Sequence, residues 1–194
     1  MRAPTLRPAP APPRTGPDTV PEVYVAAGSN VAPERNLARA VAELSREFPG
    51  ARFSPWYRNR AVGFAGDDFI NLVAGFDTAL PVREVLTQLQ AIEARCGRPR
   101  GAPRWAPRSM DLDVLLYGGL VCDEPGLQLP RPDLLKRAYM LGPLAALAPR
   151  LLHPTAHLTI GELWGRFDQA AHPLEPLPVT NRCCGRRPPR ESGR

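Results

Sequence analysis

Asp111 and Asp113 stand two residues apart in the run Met110-Asp111-Leu112-Asp113-Val114, where apolar and acidic side chains alternate. On an extended strand that alternation sends both carboxylates to one face, about 7 Å apart along the backbone, and turns Met110, Leu112 and Val114 to the other. Leu115, Leu116 and Tyr117 carry the strand on into apolar territory. Two like charges at the end of such a strand repel each other, and a divalent cation resolves the conflict. Just upstream lie Arg98, Arg100, Arg104 and Arg108, together with Trp105. Guanidinium forks match phosphate oxygens, and several of them beside a metal-binding carboxylate pair suit a triphosphate. Simple surface pairing of Arg with Asp leaves unexplained the Gly and Pro residues that shape the segment from Cys96 to Ser109. That composition reads as a lid able to close over substrate and exclude water.

Composition narrows the ways a nucleotide could be held. Lys136 is the only lysine in the chain, so no P-loop lysine after glycine is available. Arginines and metal must therefore do the phosphate work. The formal charge of +6 and pI near 9.7 would fit a nucleic-acid partner, but part of the excess sits in the two termini. A length of 194 residues with 43% hydrophobic content allows one domain with a single core. Residues 1–21, rich in Pro, Ala and Arg, read as a disordered extension rather than a secretory signal, and residues 173–194 as a disordered basic tail. The folded domain is expected over 22–172. The cysteines Cys96, Cys122, Cys183 and Cys184 have no Cys-x-x-Cys spacing and read as reduced thiols of a cytoplasmic protein. No apolar run is long enough to span a bilayer. His153 and His157 are four apart, but Pro154 interrupts them and no third ligand is evident, so zinc is not expected there.

The elements that must position the acidic pair follow from periodicity. Glu22–Ala27 is a short strand ended by Gly28-Ser29-Asn30. Leu37, Ala40, Val41, Leu44 and Phe48 recur at helical spacing, which predicts an amphipathic helix over 33–48, with Gly50 as terminator. Residues 52–58 read as a second strand. In the strand over 68–76, Ile70, Leu72, Ala74 and Phe76 share one face, and Phe69, Asn71 and Val73 the other. Pro81 opens a helix whose stripe is Val82, Val85, Leu86, Leu89 and Ile92; Gln90 and Glu93 share a different face. A last helix is predicted over 139–147. The order βαββαβ, with additional C-terminal helical elements, is that of a ferredoxin-like α+β sandwich.

These residues bring a family into view. From about Val23 to Leu163 the chain resembles 6-hydroxymethyl-7,8-dihydropterin pyrophosphokinase, an enzyme of folate biosynthesis. The resemblance rests on Ala27-Gly28-Ser29-Asn30, Tyr57-Arg58, Phe69-Ile70-Asn71, Ile92-Glu93 and Gly97-Arg98-x-Arg100. It continues through Arg104-Trp105-x-Pro107-Arg108-x-x-Asp111-Leu112-Asp113, Leu129-Pro130, Arg137-Ala138-Tyr139-Met140-Leu141 and His153-Pro154. It implies transfer of pyrophosphate from ATP to the pterin hydroxymethyl oxygen, with release of AMP. By similarity, Asp111 and Asp113 would hold two Mg²⁺ ions, and Arg98, Arg108 and Arg137 would bind phosphate and stabilise developing charge. Arg100 and Arg104 would assist from the lid, with Arg131 also on the ATP side. Gln90 and Glu93 would line the nucleotide side, with Leu86 and Val114 near adenine. Phe69 and Tyr139 would sandwich the pterin ring. Asn71 would bond the ring edge, Gly28, Asn59 and Val62 would approach it, and Trp105 would cover it. The resemblance implies small-molecule substrates only, with no nucleic acid or membrane partner, and a monomer.

Five positions depart from the family's pattern. Arg131 stands where a His before Pro132 is usual, and Ala106 where Gly is usual. Gly101 occupies a position that is basic in some members, and Asn59-Arg60 replaces a commoner Thr-Pro. None of them replaces an aspartate or one of the main arginines. Two other functions fit parts of the pattern. Nucleotidyltransfer also pairs Gly-Ser with Asp-x-Asp, but there the acidic pair follows on the next strand, whereas here two predicted strands and two helices separate Ser29 from Asp111. An RNA-binding module would use the Arg-rich loop and Trp105; Asp111 and Asp113 would repel its polyanion, and no RNP-like aromatic strand is present.

Overall fold

The structure, a computed structural model, describes residues 20–60, 67–97 and 109–178. Twelve elements run through these segments in the order β1 (Glu22–Ser29), α1 (Pro33–Glu47), β2 (Arg52–Phe53), β3 (Tyr57–Asn59), β4 (Phe69–Asp77) and α2 (Val82–Arg95). Then come β5 (Asp111–Tyr117), β6 (Cys122–Glu124), β7 (Leu127–Leu129), α3 (Ala138–Leu147), α4 (Ile160–Arg166) and β8 (Glu175–Pro176). The main sheet is antiparallel in the order β5-β1-β4-β3-β8, with β2 also on β4, and β6 and β7 form a separate hairpin.

The alternation read in the strands decides what lies on each side. On one face, Val23, Val25, Ala27, Ile70, Leu72, Ala74, Phe76, Leu112 and Val114 pack with Leu37, Ala40 and Leu44 of α1 and Val85, Leu89 and Ile92 of α2 in one core. Fully burying a Leu or Ile side chain contributes about 1.5–3 kcal/mol, so this stripe is what keeps both helices on the sheet. Pro33 opens α1 at a position where no intrahelical N–H is needed. Phe48 ends the helix and stacks on Phe76, ring centroids 3.9 Å apart. On the opposite face, Tyr24, Ala26, Val73, Leu115 and Leu116 meet α3 and α4. Helix α3 is apolar all round, with seven of its residues buried, because it lies between the sheet and α4. Gly142 allows the close approach at that crossing: a Cβ there would meet the Leu174 side chain at 2.7 Å and the Trp164 ring at 3.1 Å, and one of them would have to shift. Thr159 and Glu162 form a reciprocal capping box that starts α4.

Three sequence expectations change. The single strand over 52–58 is two strands, because Pro55 has no N–H to give and Ser54 turns its own groups onto β4. Ser54 N–H donates to the Val73 carbonyl at 2.9 Å, and its Oγ accepts from Val73 N–H at 2.9 Å. The β6–β7 hairpin, turning at Gly126 with φ of 79°, and helix α4 add elements not distinguished from sequence. The folded chain also continues past residue 172, where composition places the start of the tail: Glu175 and Pro176 pair with Arg58 and Tyr57. No helix among the described residues is long and apolar enough to cross a membrane.

Candidate active site

Strand register gathers the predicted residues. Gly28 pairs with Asn71 on one side and Asp111 on the other, and Ala26 pairs with Val73 and Asp113. Cross-strand partners point to the same face, so Gly28, Asn71, Asp111 and Asp113 share the face that carries α3. Tyr57 pairs with Asn71 and Asn59 with Phe69, which brings Asn59 and Phe69 to it as well. Helices α3 and α4 cover the Tyr24, Val73 and Leu115 half of this face. The Gly28, Asn71 and Asp111 half holds the polar residues.

Within that half the backbone is held closely. A Cβ at Gly28 would fall 2.5 Å from Asn71 Oδ1, so any larger residue must push the Asn71 side chain aside. Asn71, 5% exposed, donates from Nδ2 to Asn59 Oδ1, and Asn59 Nδ2 donates to the Arg60 carbonyl. The amides are thereby fixed in orientation. Fully buried Ser29 donates from Oγ to the Ser109 carbonyl at 2.7 Å, pinning the chain that enters β5 beside the end of β1.

The aspartates sit where the spacing places them. Both are half-buried, while Met110, Leu112 and Val114 lie in the core beneath. Two interactions fix them that sequence reasoning missed. Glu93 Oε1 accepts the Leu112 N–H at 2.8 Å, so this α2 carboxylate holds the backbone between the two aspartates. Arg131, after β7, reaches Asp113: its guanidinium lies 3.0 Å from Asp113 Oδ2. Its own N–H donates to the Leu115 carbonyl at 2.9 Å, which anchors it alongside β5. Neither contact has a local sequence signal, since each joins segments far apart in the chain. Among the described residues no group of three or more His, Cys, Asp or Glu gathers at metal-binding distance. The donor set of Asp111 and Asp113, two hard carboxylates, fits Mg²⁺, which takes one or two carboxylates and completes its shell with phosphate and water.

A cavity of about 770 Å³ opens beside β3, lined by Arg58, Asn59, Arg137 and Tyr139 and by residues 171–176. Arg137 caps α3, its carbonyl accepting from the Met140 and Leu141 N–H groups, and Tyr139 follows in the first turn. Leu86 packs at the edge of the α1–α2 core, Gln90 is exposed, and Val114 is 4% exposed within that core. Val114 thus faces away from the aspartates, so its side chain is occupied by packing. Val62, Arg98, Arg100, Arg104, Trp105 and Arg108, with Gly101 and Ala106, lie outside the described residues.

His153, read from sequence beside Pro154, is buried and structural: its Nδ1 accepts from the Ala156 N–H at 3.1 Å. Burial, with the charge of His157, pushes its pKa below the ordinary histidine value.

Fold and site together define a mixed α/β protein whose polar cleft occupies one half of one face of an antiparallel sheet. The model of the 7,8-dihydro-6-hydroxymethylpterin-pyrophosphokinase family matches residues 24–149. A 2-amino-4-hydroxy-6-hydroxymethyldihydropteridine pyrophosphokinase from Pseudomonas aeruginosa is 42% identical over 139 residues, covering 70% of this chain and 85% of that protein. One from Synechocystis is 36% identical over 172 residues, covering 87% and 88%. Among solved structures, a Plasmodium falciparum HPPK-DHPS triple mutant with SDX-DHP matches at a TM-score of 0.61 and 12% identity, over 77% of this chain and 44% of that one, a likeness of fold alone. The chain belongs to the 7,8-dihydro-6-hydroxymethylpterin-pyrophosphokinase family.

Proposed function

We propose that this protein transfers pyrophosphate from ATP to the hydroxymethyl oxygen of 6-hydroxymethyl-7,8-dihydropterin, releasing AMP, in the making of folates. The observation that carries the reading is the cross-strand row Asn71–Gly28–Asp111, with Asp113 one step along the same face. It joins an amide-lined surface, suited to a flat heterocycle, to a carboxylate pair suited to a metal–triphosphate. The sheet order β5-β1-β4-β3 with α1 and α2 on one face supports the ferredoxin-like arrangement as its scaffold.

Asp111 and Asp113 would hold Mg²⁺, two ions by the family resemblance, which when bound neutralises the triphosphate and makes the acceptor hydroxyl more acidic. The chain's own groups do the rest. Gly28 lets the ring edge approach the backbone, and the Asn71–Asn59 pair fixes the ring's orientation through directed amide groups. Phe69 and Tyr139 would stack on its two sides. Arg137 and the arginines Arg98, Arg100, Arg104 and Arg108 would take the phosphate oxygens, with charge-assisted bonds strongest where negative charge grows in the transition state. Glu93 holds the β5 backbone so that neither aspartate shifts as the nucleotide arrives. Trp105 and Val62 would close over the pterin, excluding water that could otherwise accept the pyrophosphoryl group. Gln90 and Leu86 would border the nucleotide. The protein would act as a monomer on small-molecule substrates.

The test is AMP release from ATP, Mg²⁺ and the dihydropterin. AMP formation that depends on the pterin is expected. Its absence, under conditions where the Pseudomonas aeruginosa relative turns over, would sink the reading.

A further inference from the structure

The Arg131–Asp113 pair has the properties of a temporary contact. It joins one of the two proposed metal-holding carboxylates to a guanidinium at 3.0 Å, with side chains 35% and 24% exposed. Both side chains keep contact with solvent, so each can take a new partner without being fully desolvated first. The pair is also incompletely satisfied: Arg131 Nε is buried and finds no acceptor among the described residues. A fixed structural ion pair would be expected to use that donor, because a buried unused N–H costs free energy. The backbone of Arg131 is anchored independently through its N–H to the Leu115 carbonyl at 2.9 Å, so the side chain can leave Asp113 without moving the turn. Charge gives the pairing a consequence. Arg131 offsets one unit of the negative charge that the carboxylates present, and a cation entering beside Asp113 meets a positive neighbour.

We propose that Arg131 is a displaceable counter-ion of Asp113, which competes with the divalent metal until a metal–nucleotide complex draws the guanidinium onto its phosphates. This rests on the pyrophosphokinase reading, in which Asp113 holds metal. Arg131 is a positioning residue here: it acts on the reaction through Asp113. A guanidinium suits the exchange because its planar fork binds a carboxylate and a phosphate with the same geometry.

The test reads metal binding directly, using Mn²⁺ as the probe with electron paramagnetic resonance to count free ion, in the full chain. Without nucleotide, Arg131→Gln and Arg131→Ala are expected to bind Mn²⁺ roughly three- to tenfold more tightly than the unaltered protein. With α,β-methylene ATP present, the gap between the unaltered protein and the variants should narrow or reverse, because the variants lack the phosphate ligand. Two variants of different size, each checked by thermal melting, separate loss of charge from loss of packing. No gain in metal-only affinity in either variant, while nucleotide-dependent Mn²⁺ binding persists and Asp113→Ala removes it, would overturn the role of Arg131 and leave the metal site standing. If the unaltered protein binds no more Mn²⁺ than Asp113→Ala even with the analogue, the two-carboxylate metal reading itself falls, and the counter-ion with it.

Discussion

The two faces of the central sheet are built from alternate residues of the same strands, yet they do different work. The α1–α2 face carries one continuous apolar core, with Ile70, Leu72, Ala74, Phe76, Leu112 and Val114 all in it. The α3 face divides along its length, apolar under α3 and polar beyond it. In β5 the contrast falls between neighbours: Leu112 and Val114 are 7% and 4% exposed, while Asp111 and Asp113, which alternate with them, are half-buried. One face gives the stiffness that the other face uses. A carboxylate pair can be held against its own repulsion because the intervening side chains are sunk in a packed core.

Substitutions on the two faces should therefore separate activity from stability. Asp113→Ala is expected to lower kcat by roughly 10²–10³-fold or more, while calorimetry shows pterin binding little changed; equal loss of both would mean that the divided face acts as one structural unit. Leu44→Ala, on α1, should cost about 2–5 kcal/mol in denaturant unfolding and leave the KM values of the folded enzyme near normal. A change in KM as large as that in stability would show that the core face sets the site directly. Gly28→Ala should cost less stability than Leu44→Ala, about 1–3 kcal/mol from overpacking, with the KM for pterin rising more than that for ATP as Asn71 is pushed aside.

Legibility in the sequence followed the same division. The core face was readable because hydrophobic burial imposes a period: α1, β4, α2 and β5 fall where spacing predicts them, to within a residue or two. Strand alternation also put Asn71 with Phe69, and Asp111 with Asp113. Short elements held by tertiary contact were not separated. The β2–β3 break depends on Ser54 bonding across to Val73, β8 on its neighbour β3, and α4 is seven residues long. Two local signals could have found more: the Pro-Gly turn at Gly126, and Thr159 followed by Glu162 as a capping box. The contacts of Glu93 with Leu112 and of Arg131 with Asp113 have no periodic trace, since they depend on how elements pack.

The bonds that steady the aspartates also bear on how the protein behaves at high concentration. Strand β5 is a sheet edge, and an open edge invites another chain to add a strand. Here its outward Leu112 N–H is taken by Glu93 and its outward Leu115 carbonyl by Arg131. At the far edge Leu177 N–H turns inward to the Trp56 carbonyl, so the neighbouring outward position falls on Pro176, which has no N–H to offer. Among the described residues these edge positions are closed to an added strand, and on the β5 side the residues that close them are the ones that hold the Asp111 and Asp113 carboxylates in place.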